Sequence, residues 1–378
     1  MKLAFISKNL PPSLCGVGRY TASLALALSE MGHSINIWTS ESTPQVSNSV
    51  LVHKATGGWN TLTFFKMALQ IWRWRPDRVI IEFTPYLFAP HTYGINFILP
   101  IWLLFMRLLF GKSLVLMMHE LHYPTGLTPD RFLIGVPQWM QFILLIFVSP
   151  KTVFSYQAPF VKYKRWIPFK AGTLYWTPTG PTLHSNIKTE IPAHLSMPDQ
   201  HYILLQFGSD HPSRLFSFSF KALEKIRDSF GPNTVSLVFV GISQERVNAE
   251  LVLSKNIKLK GYVHGTGPVS DSVAAYWMNR AKLVLAPFED GTSARRTSTI
   301  SALSFGKTVV TTRGPSTDTQ IPWEQLCVIA PSLKSNAFAE AALKSFANGV
   351  QGTHEPSGDF TLWFSWPKLC QHFVSLLS

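Results

Sequence analysis

Short apolar runs alternate with helix-length segments along this chain of 378 residues, and the alternation runs through twice. Few folds accept such a pattern. Strands buried on both faces read as unbroken apolar runs, and parallel strands need a crossover helix between them. The first pass opens with a strand over Lys2 to Ser7 and the loop KNLPPSLCGVG. A helix over Arg19 to Met31 follows, with Tyr20, Leu24, Leu26 and Leu28 at helical spacing. Gly32 and His33 turn the chain into a strand over Ser34 to Thr39. Further strands are expected at Leu51 to His53, Arg78 to Phe83, Leu114 to Met118 and Thr152 to Tyr156. Helices fall at Leu62 to Trp74, up to about Phe110, and near Phe132 to Val148. Ala158 to Lys188 is rich in Pro, Trp, Lys and Gly, and the polar stretch Pro181 to Pro198 marks a domain boundary.

The second pass starts with a strand over Tyr202 to Phe207 and a helix over Leu215 to Phe230. Strands at Val235 to Val240, Ile257 to Lys260, Leu283 to Ala286 and Cys327 to Ala330 alternate with helices at Gln244 to Leu253, Val269 to Arg280 and Asn336 to Ala347. A last helix covers Leu362 to Leu377. The result is an α/β chain of two doubly wound, Rossmann-like domains, residues 1–185 and 186–355, closed by a C-terminal segment over 356–378. Ligands of such folds bind where the carboxyl ends of the strands meet a cleft.

Composition narrows the partners. Hydrophobic residues make up 46% of the chain and charged ones 15%, which excludes disorder. A net charge of +13 points to an anionic partner, yet no Lys/Arg-rich run or nucleic-acid motif stands out, so no nucleic acid is expected. Twelve Trp and 27 Phe favour a membrane surface. Trp59, Trp72, Trp74, Trp102, Trp139 and Trp166 lie near many lysines and arginines of the first domain, which suggests an anionic membrane as a partner. Asn96 to Met118 is interrupted by Pro100, Arg107, Gly111 and Lys112, so a span is not expected there. MKLAFISKNLPPS is too short in apolar residues for a signal peptide and reads as a strand. Cys15, Cys327 and Cys370 form no disulfide framework and fit a reducing, cytoplasmic setting.

Leu283 to Gly314 is the stretch expected to carry the chemistry. Pro287 and Gly291 break the strand into a loop, Thr299 to Phe305 is helical, and Gly306 caps it. Arg295 and Arg296 precede that helix, with Ser293, Thr297, Ser298 and Thr299 around them. Two planar guanidiniums at a helix start suit a phosphate. Taken alone, an adjacent arginine pair reads as a solvated basic loop before a Ser/Thr N-cap. Gly16 and Gly18 allow a ligand close to a helix N-terminus, and serve equally as a flexible loop.

PPSLCGVGRYTASLALALSEMGHSINIWT resembles the opening of family 4 glycosyltransferases of the GT-B fold. VLMMHELHYP resembles that family's strand ending in a His, and TPTGPT stands where it has a Pro-Asn-Gly turn. LLQFGSDHPSR resembles the start of its second domain, and FSWPKL its closing helix, which crosses back to the first. The resemblance implies two Rossmann-like domains facing a central cleft and retaining transfer from a UDP- or GDP-linked sugar. It implies His119 and Asp290 as catalytic residues. Arg214, Arg295 and Arg296, with the Gly16 and Gly18 backbone, are expected on the donor diphosphate, the adjacent pair restoring charge that the family pattern has lost here, and Gly291, Thr292, Ser293 and Thr297 complete the expected donor contacts. The base would lie by the loop after Gly241 and near Tyr262. The family commonly places a Glu at each end of the focal loop and helix; here Ser301 stands at the second place, and Glu289 or Asp290 at the first. Ser209 stands at the place of its Arg, and Arg214 at that of its Lys. The acceptor implied is a lipid-linked or envelope glycan. A non-catalytic module binding nucleotide, glycan or protein is the alternative.

His119 has a case of its own, since a His at a strand end can bond a sugar hydroxyl or an acceptor, while a core His satisfied by backbone carbonyls is the other reading. His122 is a weaker candidate. No HExxH or D-x-D pattern occurs, so neither a metal nor a cofactor is expected.

Overall fold

The computed structural model describes residues 1–13, 15–41, 44, 46–55, 60–89, 93–191, 201–231, 234–348 and 358–378. The chain divides into two compact units, 1–179 with 366–378, and 180–365. Residues 192–198 of the expected boundary stretch, 356–357 of the closing segment, and Trp59 lie outside the described residues.

In the first unit the order is β1 (Lys2–Ile6), α1 (Gly16–Glu30), β2 (Ser34–Thr39), β3 (Leu51–Lys54), α2 (Thr61–Trp74) and β4 (Arg78–Phe83). It continues with α3 (Ile98–Phe110), β5 (Leu114–Met118), α4 (Val136–Val148), β6 (Thr152–Phe154), α5 (Gln157–Trp166) and β7 (Leu174–Trp176). Among the described residues these strands form a seven-stranded sheet in the order β3-β2-β1-β4-β5-β6-β7, parallel throughout. Alternation sorts its side chains. Ala4, Ile6, Val79, Ile81, Leu114 and Leu116 pack into one core with α2, α3, α4 and α5. Leu3, Phe5, Ile80 and Val115 pack into the other with α1.

The second unit holds β8 (Tyr202–Phe207), α6 (Phe216–Phe230), β9 (Val235–Val240), α7 (Gln244–Leu253), β10 (Val263–Gly265), α8 (Asp271–Arg280) and β11 (Ala281–Ala286). After these come α9 (Thr297–Ser304), β12 (Val309–Thr311), α10 (Trp323–Leu326), β13 (Val328–Ile329), α11 (Ser335–Ala347) and α12 (Gly358–Phe364). Its sheet has the order β10-β9-β8-β11-β12-β13. In both units the first strand lies between the second and the fourth, so the winding reverses beside β1 and beside β8. Ligands of open α/β sheets bind at such a switch point, outside the carboxyl ends.

The last helix, α13 (Trp366–Leu377), belongs to the first unit. Cys370, Phe373 and Leu377 join the α1 core. Arg78 Nε donates to the Leu377 carbonyl at 2.5 Å, and Lys151 Nζ to that of Leu376. Both cations satisfy carbonyls that a helix C-terminus leaves open.

Three expectations need correction. Ile257 to Lys260 is no strand: Ile257–Tyr262 winds as a 3-10 turn, and β10 begins at Val263. The stretch after Ala158, for which no element was expected, carries α5 and β7. The single helix expected over Leu362 to Leu377 is two, parted at Ser365. Pro367, with no N–H and a ring that crowds the preceding turn, stops α12 from running on.

Candidate functional site

At the switch point of the second unit the loop after β8 and the loop after β11 are stitched together. The Glu289 amide donates to the Ser213 carbonyl at 2.8 Å, and that of Leu215 to Pro287 at 3.1 Å. Arg214 and Phe288 form an isolated antiparallel bridge between them. Three guanidiniums gather there. Arg214, 9% exposed, donates through Nε to the Ser209 carbonyl at 2.8 Å and through Nη2 to that of Phe207 at 2.9 Å. Its carbon lies 5.5 Å from the Phe288 ring centre, and that of Arg296 lies 4.2 Å from the same ring. Arg296 Nη2 donates to Ser213 Oγ at 2.9 Å.

Two of the arginines meet a carboxylate. Asp290 accepts from Arg295 Nη2 at 2.7 Å and from Arg296 Nη2. Burial alone would raise its pKa; Arg296 and Arg295 outweigh burial and hold it below the ordinary carboxylate value. Burial, and then the nearby Arg296, push Arg214 down to about 10, so it stays cationic at neutral pH. Burial, then Arg296, Arg295 and Arg214, lower His211 to about 4, against a smaller opposite pull from Asp290. His211 is therefore neutral, and its Nδ1 accepts the Ser213 amide at 3.1 Å. Arg214, Arg295 and Arg296 thus bring three cations to one pair of loops. Exposed Asp210 is matched by Arg246 Nε at 2.8 Å.

Gly291 makes the tight part of the loop. Its φ is +83°, and a Cβ there would stand 2.2 Å from the Gly314 nitrogen. No other residue fits both demands. Thr292 follows with its amide on the Thr312 carbonyl at 2.9 Å. Thr292 and Ser293 are fully buried, and their hydroxyls find no partner among the described residues. Buried hydroxyls are rarely left so. Thr297, half-buried, opens α9. Ser301, where the resemblance places a Glu, is fully buried and accepts the amides of Thr182 and Leu183 at 3.1 and 3.2 Å.

Tyr262 does not join this cluster. Val263 pairs with Leu237, near the start of β9, so Tyr262 lies toward the amino end of the sheet, under the Arg227 guanidinium at 3.1 Å. At the carboxyl end, the Gly241 amide donates to Thr266 Oγ1 at 3.2 Å.

In the first unit His119 follows the last residue of β5, with its amide on the Phe83 carbonyl at 3.0 Å. Its Nε2 lies 2.5 Å from Oε2 of Glu82, which is fully buried on β4. Glu82 Oε1 has no partner among the described residues. Tyr20 packs edge-on against the imidazole at 5.0 Å. Burial first, then Glu82 and Cys370, raise the Tyr20 hydroxyl well above its ordinary pKa. His119 thus has a buried carboxylate behind it, which neither earlier reading contained. His122 is held between the Tyr123 carbonyl and Tyr163 and is lowered by burial.

Gly16 and Gly18 separate in role. A Cβ at Gly18 would stand 2.5 Å from the Asn9 carbonyl oxygen, so this glycine lets the loop after β1 close on α1. Gly16 is exposed with open space around it. Among the described residues no three His, Cys, Asp or Glu side chains converge as metal ligands. Sequence reasoning passed over His211, Ser213 and Glu82. The signal for Glu82 was a lone acid inside RVIIEF, where every neighbour is apolar but the first.

The family model for "Glycosyl transferases group 1" matches residues 202–348, which is most of the second unit. No curated protein matches the sequence. Among solved structures, the chain is similar to sucrose-phosphate synthase from Thermosynechococcus elongatus, at 15% identity and a TM-score of 0.73, covering 100% of this chain and 98% of that one. WaaG, a glycosyltransferase involved in lipopolysaccharide biosynthesis, follows at 15% identity and 0.63, covering 99% and 95%. HepE of Anabaena, in complex with UDP and glucose, is similar at 13% identity and 0.64, covering 100% and 99%. At these identities the likeness establishes the fold alone: two-domain α/β, of the GT-B class. Together with the family match it supports a glycosyltransferase of the group 1 type.

Proposed function

We propose that this chain transfers a sugar, with retention, from a UDP- or GDP-linked donor to a lipid-linked or envelope glycan on the cytoplasmic side of a membrane. One observation carries the reading. Arg214, Arg295 and Arg296 come together at the switch point of the unit that matches the group 1 family. Three fixed guanidiniums suit the diphosphate of a nucleotide sugar. Fixed donors act where charge develops on a leaving group, and fixed guanidiniums would stabilise the departing diphosphate in this way. The donor must compete with Asp290 for Arg295 and Arg296, so binding frees a carboxylate that can accept sugar hydroxyls. HepE, a protein of this fold, binds UDP and glucose, which supports a nucleotide-sugar donor here. The acceptor side is assigned to His119 and Glu82. Retention rests on the family resemblance, the cytoplasmic setting on three free cysteines, and no cofactor is called for.

Ser301 favours a second reading, a non-catalytic module. Its hydroxyl is committed to the Thr182 and Leu183 amides, so it cannot take over the part of a Glu. A panel of UDP- and GDP-sugars, assayed for free nucleoside diphosphate with and without glycan acceptors, separates the two. Release with at least one donor is expected, and the anomer of the product tests retention. Stabilisation by a nucleotide without release from any donor would favour the module.

A further inference from the structure

We propose that the outer face of α2, α3, α4 and α5 is a docking surface for an anionic lipid bilayer. All four helices cover the same face of the first sheet, because Phe64, Leu103, Phe142 and Tyr163 share one core with Ile6, Ile81 and Leu116. Their far sides therefore form one outer layer. Phe65 of α2 stacks on Phe105 of α3 at 5.7 Å, and Arg107 of α3 donates to the Val148 carbonyl of α4 at 2.9 Å. A helix whose inner stripe is buried in a core ordinarily turns polar residues outward. Here the outer layer carries Phe65, Trp72, Ile101, Leu108, Leu144 and Trp166, with Ile101 at 69% and Leu108 at 78% exposure. Each helix contributes, so the patch is continuous rather than a scatter of single side chains.

Charge selects the occupant. The four helices contain Lys66, Arg73, Arg107, Lys162, Lys164 and Arg165, and neither Asp nor Glu. A second copy of this chain would set these cations against their own kind. An anionic headgroup layer complements them and accepts the apolar side chains beneath it. On α5, exposed Lys162 lies 5.0 Å from the Trp166 ring and Lys164 lies 5.1 Å from that of Phe160. The geometry also argues for lying on the bilayer rather than crossing it. Arg131–Val148 is long and apolar enough to cross by length and composition. Yet Phe142, Leu145 and Ile146 are fully buried against the sheet, and leaving it would strip that core. α3, with 13 residues, is shorter than the roughly 20 a span needs. Of the tryptophans that suggested a membrane from sequence, Trp102 is buried, so the surface rests mainly on aliphatic and Phe side chains.

The test is co-sedimentation of the full chain with phosphatidylcholine vesicles, with and without phosphatidylglycerol. The wild type is expected to pellet with the anionic vesicles and to be released at 1 M salt, where screening shortens to about 3 Å. Ile101→Ser with Leu108→Ser weakens pelleting about tenfold or more. Reversing Lys162, Lys164 and Arg165 to Glu weakens it by about 100-fold or more. Nucleotide-induced stabilisation, which reports the second unit, stays unchanged in both variants, so failure here and failure of the donor reading are told apart. Three results overturn the proposal. One is wild-type protein left in the supernatant with both vesicle types. Another is pelleting that resists alkaline carbonate, which would mean a spanning helix. The third is a dimer without vesicles that Ile101→Ser with Leu108→Ser splits into monomers, which would make the face a self-association surface.

Discussion

The two units share a strand order and differ on the outside of their helices. In the second unit, acids and bases alternate across the surface: Lys225 pairs with Glu340 of α11, Lys258 with Glu224 of α6, and Arg246 with both Asp210 and Glu250. In the first, α2 to α5 carry no acid at all, and large apolar side chains stand where those pairs would be. A doubly wound sheet needs only the inner stripe of each covering helix to be apolar, so the outer stripe is free to follow its surroundings. The buried polar groups differ in the opposite sense. The second unit sets Arg295 and Arg296 on Asp290, partly open to water, whereas the first buries Glu82 with His119.

That contrast can be broken at the buried pair, where the largest effect is expected. Glu82→Ala removes the group behind His119 and leaves a cavity and an unpaired imidazole in the core. Breaking a buried pair costs about 3–5 kcal/mol. Urea unfolding of the first unit is the measurement, and a loss under 1 kcal/mol on the order-of-magnitude scale of a surface change would mean the pair is not structural. His119→Gln, which keeps a donor toward Glu82, should fold and lose turnover; full activity there would leave His119 as a core residue only.

Next in size is the arginine cluster. Arg295→Ala with Arg296→Ala deletes two charge-assisted donors, each worth about 1.5–3 kcal/mol. Loss of roughly 100-fold or more in affinity for a nucleoside diphosphate is expected by calorimetry. Unchanged affinity would show that the two guanidiniums serve only to hold Asp290.

How far the sequence reached follows from the same contrast. The alternation of runs was legible because strands buried on both faces leave a clear apolar signal, and most strands of both sheets lie where it placed them, β7 and β10 excepted. α5 was missed in a stretch noted only for its Pro, Trp, Lys and Gly, yet Pro159 sits in the first turn, where no N–H is needed. IKLK reads with a period of two, yet it winds tightly because Leu259 is drawn under the second sheet and Lys258 toward Glu224. In the site, Arg214, Arg295 and Arg296 were legible as residue types in loops after strands. The pairing of Asp290 with Arg295 and Arg296 was not, since pairing across a loop is set by Gly291 and its contact with Gly314. Glu82 behind His119 depends on β4 lying beside β5, a tertiary fact.

A smaller effect is expected from pH, and in the second unit it falls on His211. His211 titrates near 4 when folded, against 6.5 ordinarily, because burial and then Arg296, Arg295 and Arg214 oppose its charge, with Asp290 pulling weakly the other way. Above pH 6.5 the imidazole is neutral in both states, and the contribution is fully present. Between 6.5 and about 4 the unfolded chain takes up a proton that the folded chain refuses, so stability falls through that window. His211→Asn should flatten this part of a melting-temperature profile. An equally steep profile in the variant would place the titrating group elsewhere.

The smallest effect is the most direct test of the contrast between the two exteriors. If the apolar layer of α2 to α5 serves something outside the fold, its side chains contribute little to folding itself. Leu108→Ser and Ile101→Ser, made singly, should then change stability by less than about 0.5 kcal/mol, the usual range for surface positions. Leu103→Ser on the same helix is the control, since Leu103 is buried at 1% exposure and packs in the sheet's core. Deleting such a side chain costs about 2–5 kcal/mol. The three variants share one helix and differ only in the direction the side chain faces, so helix propensity cancels. A loss at Leu108 or Ile101 approaching that at Leu103 would mean these residues are packed in solution. The exterior of the first unit would then be as much a part of its fold as the ion pairs are of the second.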